Sequence, residues 1–204
     1  MKNTSNKIYA KLIKNVMLND HDPNNIFIHL DSESVITSKH LIEIGVKSAQ
    51  IFIPNFCKNT VDIIKSTNLA ITEHITLNNF LIKNTKFSGR VKAAWFDYCG
   101  SFKGDKINSH PKSEIKYYFE QKFPKDNSIF GITCMLDRRT GGENNYLDKS
   151  INYPEMKSSE ILLDRINQYV RQCACDNGFD IKFNENNIYG KFVTQFYTIN
   201  KIIN

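Results

Sequence analysis

Four short apolar runs in this chain stop at a residue that can bind or catalyse: Leu30-Asp31, Pro54-Asn55, Phe96-Asp97 and Leu136-Asp137. A carboxylate accepts hydrogen bonds at two oxygens, holds cations or hydroxyls, and takes a proton from a nucleophile. An amide such as Asn55 holds hydroxyls at less strength. Asp and Asn also start turns for backbone reasons alone, but four runs that end alike point to one shared crevice. Asp97 leads into Tyr98-Cys99-Gly100, where three chemistries are open. Asp97 can orient an amine or hydroxyl, or accept its proton. Tyr98 can stack on a base. Cys99 can attack a pyrimidine carbon as thiolate, although a small buried filler is the commoner fate of a free cysteine.

Arg138-Arg139 follow the last of these runs and precede Gly141-Gly142 in a long polar segment, RRTGGENNYLDKSINYPEMK. Two arginines before a flexible glycine pair can hold a phosphate, and otherwise serve as solvated loop charges. The chain's histidines are scattered, without metal-ligand spacing. Cys173-Ala174-Cys175 would point about 200° apart on a helix, so no chelating pair is expected there. No P-loop, no G-x-S-x-G elbow and no Ser-His-Asp order occurs.

The elements that must position these residues are legible from periodicity. Ile26 to Leu30 is a strand-like run, and the helical pattern Val35, Ile36, Leu41, Ile42, Ile44 follows it. Gly45 stands where a helix end wants positive φ, and Ile51 to Pro54 is the next strand. This βαβ spacing predicts parallel strands with a right-handed crossover. Lys7 to Leu18 reads as an amphipathic helix with Lys7, Lys11 and Lys14 on its solvated side. Asn59–Lys65 suggests a short helix, Leu69-Ala70-Ile71 an edge strand, and Thr76 the cap of a helix over Leu77, Phe80 and Leu81. A helix from Ser113 to Pro124 precedes Ser128–Leu136, whose nearly unbroken apolar character marks a strand covered on both faces. Trp95 reads as core. Ser159–Asp176 is the clearest helix, stopped by Asn177-Gly178. The alternating runs Phe179–Phe183 and Lys191–Ile199, linked by the turn-rich Asn184–Gly190, predict a terminal antiparallel hairpin.

This order of elements, with FDYCG closing the fourth strand, resembles the class I S-adenosylmethionine-dependent methyltransferases over roughly residues 25–199. The resemblance implies an α/β, Rossmann-like three-layer sandwich with a mostly parallel seven-stranded sheet and a C-terminal antiparallel hairpin. It implies S-adenosylmethionine as cofactor. Asp31, Ser32 and Glu33, in the loop Asp31 to Thr37, would meet its methionine part. Asn55 would hold the ribose hydroxyls, and Glu73 or His74 would lie near adenine. Asp97 and Tyr98 would face the reacting methyl group as the catalytic pair. Arg138 and Arg139, read from their own chemistry and not from the family, are the candidate residues for holding the acceptor. Two features depart from the family pattern: DSESVITS after the first strand holds no glycine, and Asn55 stands where an acid is usual. A Lys-Asp-Lys-Glu tetrad for 2′-O-methylation is not supported, because arginines follow Asp137.

Composition bounds the rest. The 204 residues suit one α/β domain (25–204) preceded by a helix packed on it (1–24), and a hydrophobic share of 41% is enough for a sizeable core. Lys+Arg 27 against Asp+Glu 21 gives +6, compatible with RNA or DNA as partner. No apolar run approaches the roughly 20 residues of a membrane span, and the N-terminus does not read as a secretory signal. Five cysteines without metal spacing fit a reducing, cytoplasmic compartment. Abundant Asn, Lys and Ile suggest an A/T-rich coding sequence such as a virus or protist carries, which would make that compartment the host's. A methyltransferase-like module that binds nucleic acid or a protein without catalysis is the alternative function. Oligomeric state is not legible.

Overall fold

Short β-branched and aromatic runs alternate with amphipathic helices along most of the chain, and the helices cover the two faces of one sheet. The computed structural model describes residues 2–18, 20–98, 100, 102, 110–135 and 158–202. The strands are β1 (Ile26–His29), β2 (Ile51–Asn55), β3 (Ile71–His74), β4 (Val91–Asp97), β5 (Pro124–Met135), β6 (Phe179–Tyr189) and β7 (Phe192–Lys201). The α-helices are α1 (Lys2–Met17), α2 (Ile36–Glu43), α3 (Lys58–Thr67), α4 (Leu77–Lys83), α5 (Pro111–Glu120) and α6 (Ser158–Cys175). The seven strands run in the order β3-β2-β1-β4-β5-β7-β6. β1 to β5 are parallel, and β7 is antiparallel to both of its neighbours. The chain winds outward from β1 to β3, then returns to lay β4 on the other side of β1. That reversal opens a crevice at the carboxyl ends of β1 and β4, where open α/β sheets bind ligands.

The strands alternate their side chains between two apolar layers. On one face Tyr9 and Ile13 of α1, Leu41 of α2 and Ile64 of α3 pack with Phe27, Ile53, Trp95 and Phe196. On the other, Phe80 of α4, Tyr118 and Phe119 of α5 and Ile166 of α6 pack with Ile28, Phe96, Phe130 and Ile132. Trp95 is fully buried, and its indole N–H donates to Thr133 at 3.0 Å. Gly131 shows how tight this packing is. A Cβ there would lie 2.6 Å from Phe196 Cε1 and 3.1 Å from Trp95 Cδ1, and the Phe196 ring is itself wedged between Tyr9 and Trp95. Gly131→Ala is therefore expected to destabilise by about 1–3 kcal/mol. Urea unfolding measures it, and an unchanged midpoint would mean that the Phe196 ring yields freely.

Several boundaries differ from the sequence reading. Gly45 takes φ 96° as expected, but the third strand is Ile71–His74, not Leu69–Ile71, because Asn68 ends α3 in the left-handed region and delays the strand. α5 starts two residues early, at Pro111, and is stopped by Gln121 and Lys122, the latter at φ 55°. β5 begins at Pro124, not Ser128, with an irregularity that includes Asn127 at φ 49°. The linker expected over Asn184–Gly190 is mostly strand. β6 continues to Tyr189, opposite Phe192, and only Gly190 and Lys191 turn the chain. Asn184 sits at a register shift, where its side-chain amide donates to Thr198 at 2.9 Å. The described α1 packs within the same core as the sheet, with Lys7, Lys11 and Lys14 exposed.

Candidate active site

Three of the four polar strand ends meet at one edge. Asp31 directly follows Leu30, whose amide still bonds Trp95 of β4 at 3.2 Å. Asn55 closes β2, and Asp97 closes β4 opposite Thr133 of β5. Asp137, Arg138, Arg139 and Cys99 lie outside the described residues.

Asp31 is only 8% exposed, and its carboxylate turns inward. It accepts from the Ser32 amide at 3.0 Å and from the Ser38 amide and hydroxyl at 3.2 Å each. His29 Nε2 lies 3.6 Å from the same carboxylate and 3.0 Å from Ser38 Oγ. Burial alone would raise the Asp31 carboxyl, but His29 and the Ser38 and Ser32 amides outweigh it and hold the group below the usual carboxylate range. Asp31 thus braces the β1–α2 loop. The glycine-free loop also has a strained point: Val35 sits at φ 45°, ψ 35°, a region β-branched residues avoid at a cost of order 1–3 kcal/mol. Its side chain is 1% exposed, and that burial offsets the strain.

Asn55 is tied at both ends of its amide. Its Nδ2 donates to the Asp31 carbonyl at 3.3 Å and its Oδ1 accepts from the Cys57 amide at 2.8 Å. Glu33, exposed in the β1–α2 loop, reaches across to the first turn of α3, where Thr60 Oγ1 donates to it at 3.4 Å. A carboxylate therefore stands over the end of β2 even though β2 itself ends in an amide. Phe56, next to Asn55, is 56% exposed. Cys57 caps α3, and hydrogen bonding with the side chain and backbone of Thr60 lowers its thiol, with Glu33 opposing. Ser32 is exposed and pairs with Ser34 at 2.8 Å. Glu73 is held by Lys83 at 2.6 Å, and His74 Nε2 lies 2.8 Å from the Phe56 carbonyl.

Asp97 is half-buried at the edge, whereas Tyr98 departs from the stacking role expected of it. It is 4% exposed, and its hydroxyl donates to Glu114 Oε2 at 2.7 Å. The reason is local. After β4 the chain bends, the Tyr98 amide bonds Phe96 and Thr133 carbonyls, and the ring turns into the apolar layer beside Phe96. Glu114 is fully buried in the first turn of α5, and its other oxygen accepts from the Asn78 amide at 3.1 Å. Burial pushes its carboxyl up; the Tyr98 and Asn78 hydrogen bonds work against it. Among the described residues, no group of three His, Cys, Asp or Glu could hold a metal ion. No described helix is long and apolar enough to cross a membrane.

Solved structures share this arrangement of strands. Trm1 from Pyrococcus horikoshii, determined in complex with S-adenosyl-L-methionine, superposes at TM-score 0.64 with 11% identity, covering 97% of this chain and 56% of its own. The methyltransferase domain of bacterial CtHen1-C does so at 0.60 with 12% identity, over 98% of each chain. A Clostridium thermocellum protein provisionally named an rRNA-methylase gives 0.57 with 10% identity, over 96% of this chain and 95% of that one. The fold is that of the class I methyltransferases. No protein-family model matches the sequence, and no curated protein does. At these identities the likeness is one of architecture, and the chemistry of this sheet edge rests on its own residues. Two of them, Glu114 and Phe56, went unread in the sequence. An isolated Glu inside a helical pattern looks solvated, and Phe56 looks like the last residue of an apolar run. The pattern Asn55-Phe56-Cys57, a ring just past a strand end, was the one available signal for Phe56.

Proposed function

We propose that the chain is an S-adenosylmethionine-dependent methyltransferase whose acceptor is a nucleic acid. The observation that carries this reading is the set of functional groups at the switch point of the methyltransferase sheet: Asp97 at the end of β4, Asn55 at the end of β2, and exposed Glu33 hung over β2 by Thr60. Their chemistry fits the cofactor's adenosyl half. A carboxylate on the β1–α2 loop and an amide at the end of β2 are the acceptor and donor types that a vicinal diol takes, and Phe56 offers a ring for adenine. Asp31, braced inward by Ser32 and Ser38, shapes the loop around the methionine part, while Ser32 offers an exposed hydroxyl there. Glu73 and His74 flank the adenine side from β3. The cofactor supplies an electrophilic methyl group. Asp97 orients the acceptor's nucleophile and takes up its proton as the nucleophile is consumed. Arg138 and Arg139 are assigned to the acceptor's phosphates. The net charge of +6 and a structural neighbour named as an rRNA-methylase favour a nucleic acid over a protein. The free thiols Cys57, Cys134, Cys173 and Cys175 suit a reducing compartment such as the cytoplasm.

Calorimetry with S-adenosylmethionine, and with its demethylated product, tests the reading. Binding is expected; Glu33→Gln should weaken it about tenfold, the worth of one charge-assisted hydrogen bond, and Asn55→Ala about threefold to tenfold, the worth of a neutral one. A second reading, a methyltransferase-like module that binds its partner without catalysis, is favoured by the glycine-free loop with its strained Val35 and inward Asp31. Saturating cofactor that releases no heat and leaves the melting temperature unchanged would decide for the module, since a ligand of the native state must raise stability.

A further inference from the structure

Glu114 is a buried acid that the proposed chemistry does not use. Among the described residues no lysine or arginine pairs with it; His110, at the N-cap of its own helix, favours the acid's charged form through its backbone and its charge. The acid's two oxygens serve two different loops of the methyltransferase edge. One takes the Tyr98 hydroxyl at 2.7 Å, one residue beyond Asp97. The other takes the Asn78 amide at 3.1 Å, in the first turn of α4. That turn is itself joined to β2, because the Ile75 amide bonds the Asn55 carbonyl at 3.0 Å and Thr76 caps α4 through Asn79. A continuous chain of hydrogen bonds therefore runs from the end of β2, through the β3–α4 turn and Glu114, to the end of β4. A glutamine of the same shape could accept from Asn78 and face Tyr98 without the cost of burying an acid.

We infer that Glu114 is a positioning residue that sets the spacing between the adenosyl side of the site, at Asn55, and the acceptor side, at Asp97, by holding Tyr98 and the α4 turn at once. The inference rests on the methyltransferase reading above. Glu114 touches neither cofactor nor acceptor in this account; it acts through Tyr98 and through Asn78. A 1 Å error between two halves of a binding site is enough to cost a large factor in affinity or rate, and Tyr98 has little other anchorage for its hydroxyl.

The test is the affinity of the folded protein for S-adenosylhomocysteine, measured by calorimetry well below each variant's melting temperature. Glu114→Ala is expected to weaken binding about tenfold and Tyr98→Phe about threefold, in line with the loss of a buried hydrogen-bonded link. If both act through one link, the double variant should be weaker by clearly less than the product of the two effects. Glu114→Gln should recover most of the affinity. A role confined to stability would lower the melting temperature and leave affinity alone, so Glu114→Ala and Tyr98→Phe both binding within twofold of wild type overturns the inference. Should Glu114→Ala fail to fold, Tyr98→Phe decides by itself on the same criterion. Wild-type protein that binds no S-adenosylhomocysteine instead refutes the methyltransferase reading, and the inference falls with it.

Discussion

Replacing Asp20 by alanine is expected to destabilise the protein by about 3–5 kcal/mol, the cost of stranding a buried charge. The charge is Lys92. It lies at the start of β4 with its side chain 2% exposed, and its ammonium meets Asp20 Oδ2 at 2.8 Å. Lys125 at the start of β5 donates to the other Asp20 oxygen at 3.0 Å, to Asp22 at 3.1 Å and to Asn25 at 2.8 Å. This network closes the end of the sheet opposite the candidate site, where α1 hands the chain to β1. For a chain of this size about 2–4 °C accompanies each kcal/mol, so the melting temperature should fall by roughly 6–20 °C. The double variant with Lys92→Met should recover most of the loss, because an apolar side chain in place of a buried ion is close to neutral. Equal losses in Asp20→Ala and in the double variant would show that Lys92 finds another partner.

The same network predicts how stability depends on pH. Burial acts to raise the Asp20 carboxyl, but the hydrogen bonds from Lys92, Lys125 and Asn25 outweigh it and set the group far below the ordinary range. A carboxylate whose folded-state value is depressed adds stability above its unfolded value, about 3.9, and loses it as pH falls toward the folded one. Stability should therefore hold through neutral pH and decline below about pH 4, and the Asp20→Asn, Lys92→Met double variant should lack this part of the decline.

The core of the fold was readable because it rests on local signals. Apolar runs with polar stops mark β1, β2 and β4; Gly45 marks the end of the β1–β2 crossover helix; and the periodicity of residues 159–176 marks α6. Errors gathered where local composition and long-range pairing disagree. Asn184 to Gly190 is rich in turn formers, yet the strand runs on to Tyr189 because Glu185 to Tyr189 each pair with a residue of β7 and Asn187 reaches Ser5 of α1 at 2.8 Å. The site was legible at the level of which strand ends converge, since that follows from parallel order alone. It was not legible at the level of side-chain direction. Whether Asp31 faces a ligand or Ser38, and whether Tyr98 faces a base or Glu114, depends on contacts that no spacing rule encodes. Lys92 and Asp20 lie on elements far apart in the chain, and a lysine in a strand pattern gives no sign that it is buried.

The largest effect on activity is expected at Asp97. It closes β4 at the switch point, half-buried beside Thr133, on the side of the site away from Asn55. If it orients the acceptor and takes its proton, Asp97→Ala should lower the methyl-transfer rate by about 10²–10⁴, the usual worth of a positioned base. Affinity for S-adenosylmethionine should change far less, because the lost contact acts mainly in the transition state. Single-turnover assays on pooled RNA, DNA and protein acceptors, with cofactor binding measured in parallel, separate the two quantities. Cys99→Ser should be nearly silent in the same assays, as a filler role requires. An inactive Cys99→Ser with an active Asp97→Ala would move the chemistry to a thiolate that attacks a pyrimidine ring, and the acceptor to carbon 5 of that ring. Full activity in both would take the reacting group away from the β4 loop and toward Arg138 and Arg139, where an acceptor held by its phosphates alone would present the nucleophile without help from a protein base.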